Sequence, residues 1–375
     1  VYKGVTNKRD GYSGFANGLK SIYTESRMVH TEAAVAMVVA IDGANRTFTL
    51  SATAPVSRGS VVITGSNPVQ VVSDNGLGIF TGNGTGTINY TTGAISITFT
   101  LAPAGASTVL ATYDYFPGLP VMGVMNFYPT NNVRQLIVAD EIYVNRYNPV
   151  TDRLEDISSA TPYNGGPTDF WSWVNYADAM SVPRLLFCNG VAGDVIQQYD
   201  GTTVSAYAPT FAGGTLNARQ MFNVRDRLVL FQTIEASVLF PRRIRISGTG
   251  ANSDNFDNTA TGAGFIDIPD NTWFFGAAFN RDDILFFTES STWMMKYTGN
   301  DVTPFVLEKV DGSRGSAAAF SVISYLNRTV AASPRGLIIS DGYKVDRMDE
   351  LVPDFAYNSI RSDQFLRCFS GFLDE

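Results

Sequence analysis

Five apolar cores recur along the chain, and their spacing limits the possible folds more than any other feature. They are QLIVAD around Ile137, RLLFCN around Leu186, RLVLFQ around Val229, DILFFT around Leu285 and RTVAAS around Val330, at steps of 49, 43, 56 and 45 residues. The stretch DDILFFTESSTWMMKYTG, from Asp282 to Gly299, shows the unit most plainly. Its apolar runs Ile284–Phe287 and Trp293–Tyr297 flank a polar turn, Glu289-Ser290-Ser291. That is the pattern of a β-hairpin with one strand buried on both faces and the next on one.

Each core follows an apolar strand (Gly123–Phe127, Trp171–Tyr176, Ala218–Asn223, Trp273–Phe279, Phe320–Tyr325). Each precedes a third strand (Ile142–Tyr147, Asp194–Tyr199, Arg242–Ser247, Thr292–Tyr297, Gly336–Ser340). A more polar fourth strand closes the unit, as at Pro304–Val310 and Tyr343–Met348. The long step carries SGTGANSDNFDNTATGAG, which accounts for its excess as a single loop. Four antiparallel strands in about 40 to 50 residues is the period of a β-propeller blade. One such sheet cannot bury both faces, whereas stacked sheets bury each other's and leave only short outer edges. The fold class expected is all-β, with β-propeller-like four-stranded blades over residues 118–375; a long sandwich or solenoid is the competing architecture. The run RSDQFLRCFSGFLDE reads as the start of a further unit, so the blades are expected to be incomplete at the C-terminus and the sequence to belong to a longer chain.

Residues 36–117 have a different texture. Their only charged residues are Asp42, Arg46, Arg58, Asp74 and Asp114. β-branched strands alternate with turns such as Asp42-Gly43, Asn75-Gly76, Asn83-Gly84 and Thr92-Gly93, which predicts a small β-sandwich or barrel. GTINYTTGAISITF within it is a hairpin turning at Thr91–Gly93. Residues 1–35 read as an N-terminal arm or a blade-closing segment, with either a strand or a short helix near Glu32–Met37. Pro117-Gly118 and Pro120 mark the boundary with the repeats.

The search for chemistry returns little. Catalysis by a Ser-His-Asp or Cys-His set would have to use His30, the only histidine, and no G-x-S-x-G elbow accompanies it. His30 sits among polar neighbours and is expected to face solvent. Cys188 and Cys368 lie within apolar runs and read as core thiols. No His/Cys cluster suits zinc or haem, and no G-x-x-x-x-G-K-[ST] suits a nucleotide. SDNGLGIFTGNGTG and NSDNFDN offer oxygen ligands but have the composition of ordinary hairpin turns and lack calcium-loop spacing. The carboxylate pairs Asp282-Asp283 and Asp349-Glu350 are adjacent residues, which point to opposite faces of a strand and argue against a glycosidase pair. No catalytic, cofactor-binding or metal residue is expected.

Lys+Arg 27 against Asp+Glu 35 gives a formal charge of −8, so the surface as a whole repels nucleic acid and anionic lipid. No apolar run reaches the roughly 20 residues of a membrane span, and the first residues, VYKGVTNKRDGYSGF, contain no apolar signal-peptide core. A soluble protein without membrane insertion is the expectation. The basic runs are Arg225-Asp226-Arg227 and PRRIRIS. In the second, alternation places Arg243 and Arg245 on one face and Ile244 and Ile246 on the other, the pattern of a charged outer face. Arg242, Arg243 and Arg245 are the candidate contacts to an acidic partner or to DNA. Trp171, Trp173, Trp273 and Trp293 recur at strand positions, which favours blade packing over stacking on sugars.

The run DDILFFTESSTWMMKYTGNDVTPFVLEKVDGSRGS, followed by VAASPRGLIISDGYKVDRMDELV, resembles the tail hub, or nozzle, proteins of short-tailed bacteriophages. That group includes the tail-tubular and packaged-DNA-stabilisation types. The shared pattern is F-x-E-x-x-x-W, then G-x-x-G, then G-L-x-x-x-D-G and a polar edge, and the similarity spans roughly residues 118–375. The 36–117 module is similar to β-modules of phage tail and baseplate proteins. The resemblance implies a structural virion protein, made in the host cytoplasm and assembled as a homo-oligomeric ring of six copies at the tail tip. Such a ring meets other tail proteins and lets DNA pass without sequence recognition, and no catalytic residue carries over. A carbohydrate-binding, receptor-recognising propeller is the alternative, and a propeller hydrolase a third.

Overall fold

A computed structural model describes residues 28–115, 120–131, 133–150, 153–159, 163–177, 182–257 and 259–348, together with Leu366, Cys368 and Ser370. Every regular element longer than a single 3-10 turn among them is a strand. The chain divides into two compact units, Val1–Val121 with Leu136–Ser158, and Met122–Gln135 with Ser159–Glu375.

The strands of the first unit are β1 (Met28–Ala36), β2 (Thr47–Ser51), β3 (Val62–Ser66), β4 (Val69–Asp74), β5 (Ile79–Gly82), β6 (Gly84–Asn89), β7 (Ala94–Phe99) and β8 (Val109–Tyr115). After β9 (Gly123–Phe127), which belongs to the second unit, come β10 (Gln135–Ala139), β11 (Val144–Asn148) and β12 (Arg153–Asp156). Strands β2 to β8 hydrogen-bond in the order β2-β7-β6-β5-β4-β3-β8, and β1 continues from β8. The chain just beyond β1 joins the two ends of that run. Met37 N–H donates to the Val109 carbonyl at 3.1 Å and Val38 N–H to the Thr49 carbonyl at 3.0 Å, which curls the sheet around one core. Alternation does the sorting: Phe48, Ile63, Val72, Phe80, Ile97 and Phe99 point inward and are fully buried.

The segment near Glu32 is a strand and not a helix. β1 pairs with β8 from His30↔Tyr115 to Ala36↔Leu110, with an irregularity between Glu32 and Val35 where Ala34 takes φ 56°. β1 also pairs in parallel with β12, at Met28↔Leu154. That pairing ties the meander β10-β11-β12 to the first unit, so the chain leaves this unit near Val121 and returns at Leu136.

The second unit holds four separate antiparallel sheets of four strands. They are β13 (Ser172–Ala177), β14 (Pro183–Cys188), β15 (Gln197–Tyr199) and β16 (Val204–Ala206); then β17 (Leu216–Val224), β18 (Arg227–Glu235), β19 (Val238–Ile246) and β20 (Gly264–Asp267). The third sheet is β21 (Phe274–Asn280), β22 (Asp283–Thr288), β23 (Thr292–Tyr297) and β24 (Phe305–Asp311), and the fourth is β25 (Ile323–Tyr325), β26 (Arg328–Ser333), β27 (Gly336–Ser340) and β28 (Val345–Arg347). Each is a simple meander, the geometry of a propeller blade. Leu186, Val229, Leu285 and Val330 lie on the second strand of their sheets, and Ile137 lies on β10.

Consecutive sheets bury each other's faces. Leu186 and Cys188 pack with Met221 and Leu230; Val229 and Phe231 with Phe274 and Phe286; Leu285 and Phe287 with Ala331 and Ile338. Close approach is enforced at Gly276, where a Cβ would lie 2.2 Å from the Ala319 carbonyl oxygen. A main-chain bond also recurs: Trp171 N–H donates to the Met122 carbonyl at 3.1 Å, and 50 residues from Phe320 the Ser370 N–H donates to its carbonyl at 2.9 Å. The long repeat step has two sources. One is the Gly/Asn/Asp-rich loop, and the other is that β18 and β19 run nine residues each where β22 and β23 run six.

Candidate functional site

β19 carries the three candidate arginines, and the structure engages all of them internally. The β18–β19 hairpin turns at Ala236-Ser237, both at positive φ, and brings Glu235 back over the strand. Arg245 grips Glu235 with two parallel bonds, Nε to Oε1 and Nη2 to Oε2, each 2.8 Å, and both side chains are buried. Arg243 grips Asp267 on β20, with Nε to Oδ1 at 3.0 Å and Nη2 to Oδ2 at 3.2 Å, and also reaches Glu235 at 3.4 Å. Hydrogen bonding to Asp267 holds the Arg243 guanidinium above its ordinary pKa. Aromatic rings complete the enclosure: Arg243 lies between Phe240 and Phe265, 4.1 and 4.0 Å from their centroids, and Arg245 lies 4.4 Å from Phe211. Arg242 donates to the Asp270 carbonyl and to Asn271 Oδ1.

The other basic run behaves likewise. Arg225 and Asp226 form the β17–β18 turn at positive φ, with Arg225 over the Tyr297 ring. Arg227 is fully buried and donates to the carbonyls of Ser247, Thr261 and Asp301, and burial lowers its pKa.

The acidic turns are also occupied by their own chain. Asp74 accepts from the Tyr90 hydroxyl and from the Gly59 and Gly76 amides, so the SDNGLG carboxylate knits a turn. In NSDNFDN, Asp254 accepts from the Tyr207 hydroxyl and Asp257 from the Ala212 amide, which pins the neighbouring segment while Phe256 fills the core. Burial, then that carboxylate, raises the Tyr207 pKa. Asp270 accepts from the Ser291 hydroxyl at 2.5 Å, from Trp293 Nε1 at 3.2 Å and from Lys309 at 3.1 Å. Hydrogen bonding from Ser291, ahead of the effect of Lys309, holds its carboxyl below the ordinary range. Asp283 accepts from the Tyr297 amide. Among the described residues no group of three His, Cys, Asp or Glu side chains is placed to hold a metal. Cys188 is fully buried, which raises its thiol pKa, and Cys368 is half-buried; neither forms a disulfide. The His30 side chain and the pair Asp349-Glu350 lie outside the described residues.

The first strands of the four sheets, β13, β17, β21 and β25, line an open groove of about 430 Å³. Its wall includes Trp173, Phe222, Asn223, Phe279 and Phe320 and carries no charged side chain. Phe222 meets Phe279 edge to face at 5.5 Å. Beneath them the Gln220 side chain links sheets, accepting from the Ala277 amide at 2.7 Å and donating to the Ala319 carbonyl at 3.3 Å. The tryptophans divide: Trp171 and Trp293 pack in cores as expected, Trp173 borders the groove, and Trp273, just ahead of β21, is exposed. The groove was invisible in the sequence, because its residues come from separate repeats and only their common strand position unites them.

No family model matches the chain, and no curated protein matches it. Solved structures of similar shape include the extracellular domain of a hybrid two-component system from B. thetaiotaomicron, at 11% identity and TM-score 0.38 over 81% of this chain. This chain spans about a third of that one, 34%. A gluconolactonase from Xanthomonas campestris matches at 12% identity and TM-score 0.34, over 60% of this chain and 75% of that one. The WD40 domain of SCAP from fission yeast matches at 9% identity and TM-score 0.31, over 83% and 67%.

Proposed function

We propose that the protein is a structural, non-enzymatic virion component, a subunit of the ring-shaped hub or nozzle around the genome-exit channel of a short-tailed phage. In this reading six copies form the ring, neighbouring tail proteins dock on it, and DNA passes without sequence recognition. The observation that carries the reading is where the polar groups of the resembling segments go. In F-x-E-x-x-x-W, the Trp293 indole N–H donates to Ser291 Oγ at 2.8 Å and, with Asp270, closes the β22–β23 turn. In G-L-x-x-x-D-G, Asp341 accepts from the amides of Tyr343 and Lys344, Ser340 Oγ accepts from Gly342 N–H, and Gly342 at φ 94° sits against Met294. These are residues whose polar groups shape blade turns.

The internally paired arginines support the same reading, since free cations would hold a passing phosphate backbone through counterion release. Imaging of purified protein and of virions tests it. Rings that coincide with tail-tip density are expected, and absence of the chain from isolated tails overturns the reading.

A second reading, a carbohydrate-binding propeller, is favoured by the uncharged groove with Trp173 and Phe279 on its wall, because aromatic faces stack on pyranose rings. Tryptophan emission that shifts on addition of neutral sugars and is lost in Trp173→Leu would support it, and an unresponsive glycan array would remove it.

A further inference from the structure

The groove lined by β13, β17, β21 and β25 holds two polar groups that the described chain leaves unused. Trp173 on β13 is half-buried, and among the described residues none hydrogen-bonds to its indole N–H or stacks on its rings. The Trp293 indole, by contrast, is engaged by Ser291 and Asp270. The second group is the Asn223 amide on β17. Its Oδ1 is enclosed with no donor in reach, and its amino end, the more accessible, meets no acceptor among the described residues. Asn280 on β21 shows an asparagine used for structure, its amide donating to Thr329 Oγ1 at 3.3 Å and to the Ser340 carbonyl at 3.4 Å.

Packing alone does not favour asparagine at position 223. An enclosed carbonyl without a donor gives up its hydration for nothing, which destabilises the free protein. Strands also disfavour asparagine. A leucine of similar shape would fill the same space without that loss.

The chemistry of these groups selects a ligand. The wall carries no charged side chain to pair with an ionic one. Trp173 and Phe279, the latter 37% exposed, offer aromatic surface to an apolar ring face. An amide carries a donor beside an acceptor and an indole N–H donates once, a set that matches hydroxyl groups, which both donate and accept. A neutral pyranose combines an apolar C–H face with an edge of hydroxyls. At about 430 Å³ the groove lies within the roughly 300–1,000 Å³ of small-molecule sites.

We propose that this groove binds a neutral sugar ring, stacked on Trp173 and held at its hydroxyl edge by the Asn223 amide. The last torsion of asparagine is soft, so the amide can rotate to turn Oδ1 toward a sugar hydroxyl. The inference rests on the carbohydrate-binding reading and adds to it the polar contact and the instability that contact brings to the free protein.

The full chain is titrated with the methyl glycosides of glucose, galactose, mannose and N-acetylglucosamine, and binding is read by saturation-transfer NMR. At least one glycoside is expected to bind saturably, with affinity unchanged between about 50 and 500 mM NaCl because no ion pair forms. Trp173→Leu and Asn223→Leu should each weaken it at least about ten-fold. Heat separates a ligand contact from a structural residue: Asn223→Leu should raise the thermal transition of the free protein, whereas loss of a structural asparagine lowers it. A lowered transition, or wild-type affinity in Asn223→Leu, overturns the role of Asn223 and leaves the carbohydrate reading standing. A wild-type chain that binds none of the four glycosides overturns the proposal, and the reading itself falls only on an unresponsive glycan array.

Discussion

At the scale of single residues, alternation predicts which way a side chain points but not what covers it. Arg243 and Arg245 do share a face, yet that face is roofed by Phe211, Phe240 and Phe265 and closed by Glu235. No period in the sequence ties Phe211 to Arg245, which is why a charged outer strand was the natural reading. Removing one partner of a buried pair leaves an uncompensated charge, at a cost of about 3–5 kcal/mol, whereas replacing both with apolar groups is often neutral. Arg245→Met should therefore lower thermal stability strongly, and Arg245→Met with Glu235→Leu should recover most of the loss. A calorimetric double-mutant cycle measures this. Asp270 gives the pH counterpart. Its folded pKa lies below the unfolded value of about 3.9, so its contribution is present above that value and lost as pH falls through the folded one. Ser291→Ala removes the leading cause of the depression. The Asp270 carboxyl should then titrate at higher pH by NMR, closer to its unfolded value, and the acid-sensitive part of the stability that it contributes should shrink.

At the scale of elements, the strands that matter most were legible because a doubly buried strand must be a continuous apolar run, as in Leu228–Phe231 and Ile284–Phe287. Their boundaries were less legible. Arg225-Asp226, Ala236-Ser237 and Leu326-Asn327 make tight hairpin turns at positive φ without glycine, so the usual turn signals are missing. β5 is four residues long and ends in Gly82, too short to register as alternation. The parallel pairing of β1 with β12 joins residues far apart in sequence and leaves no local trace. The tip of β19 has its own protection against unwanted pairing. Pro241 lies on the stretch of β19 that β20 does not cover, and proline offers no N–H to an incoming strand. Pro241→Val should raise the aggregation rate several-fold at unchanged thermal stability, read by light scattering during mild heating.

For the molecule as a whole, the question is whether an acidic chain with arginine-rich strands holds DNA or lets it slide. Each phosphate contact made by a free cation adds about −0.9 to the slope of log K against log salt, and several together give measurable non-specific affinity. Here Arg243, Arg245 and Arg227 already meet carboxylates or carbonyls of their own chain, and the remaining surface is net negative. Purified protein should fail to retain duplex DNA in an electrophoretic shift even at about 50 mM salt, where such contacts are strongest. Glu235→Gln with Asp267→Asn removes the opposing charges from two guanidiniums at unchanged side-chain size, and this variant should acquire weak binding that disappears as salt rises. Retention by wild type with a steep salt dependence would mean that a cationic track exists outside these strands, and the sliding-conduit reading would then lose its electrostatic basis. Retention by neither protein would mean that the aromatic enclosure, and not the carboxylates, keeps Arg243 from DNA. The two outcomes separate charge from burial as what keeps these guanidiniums from DNA.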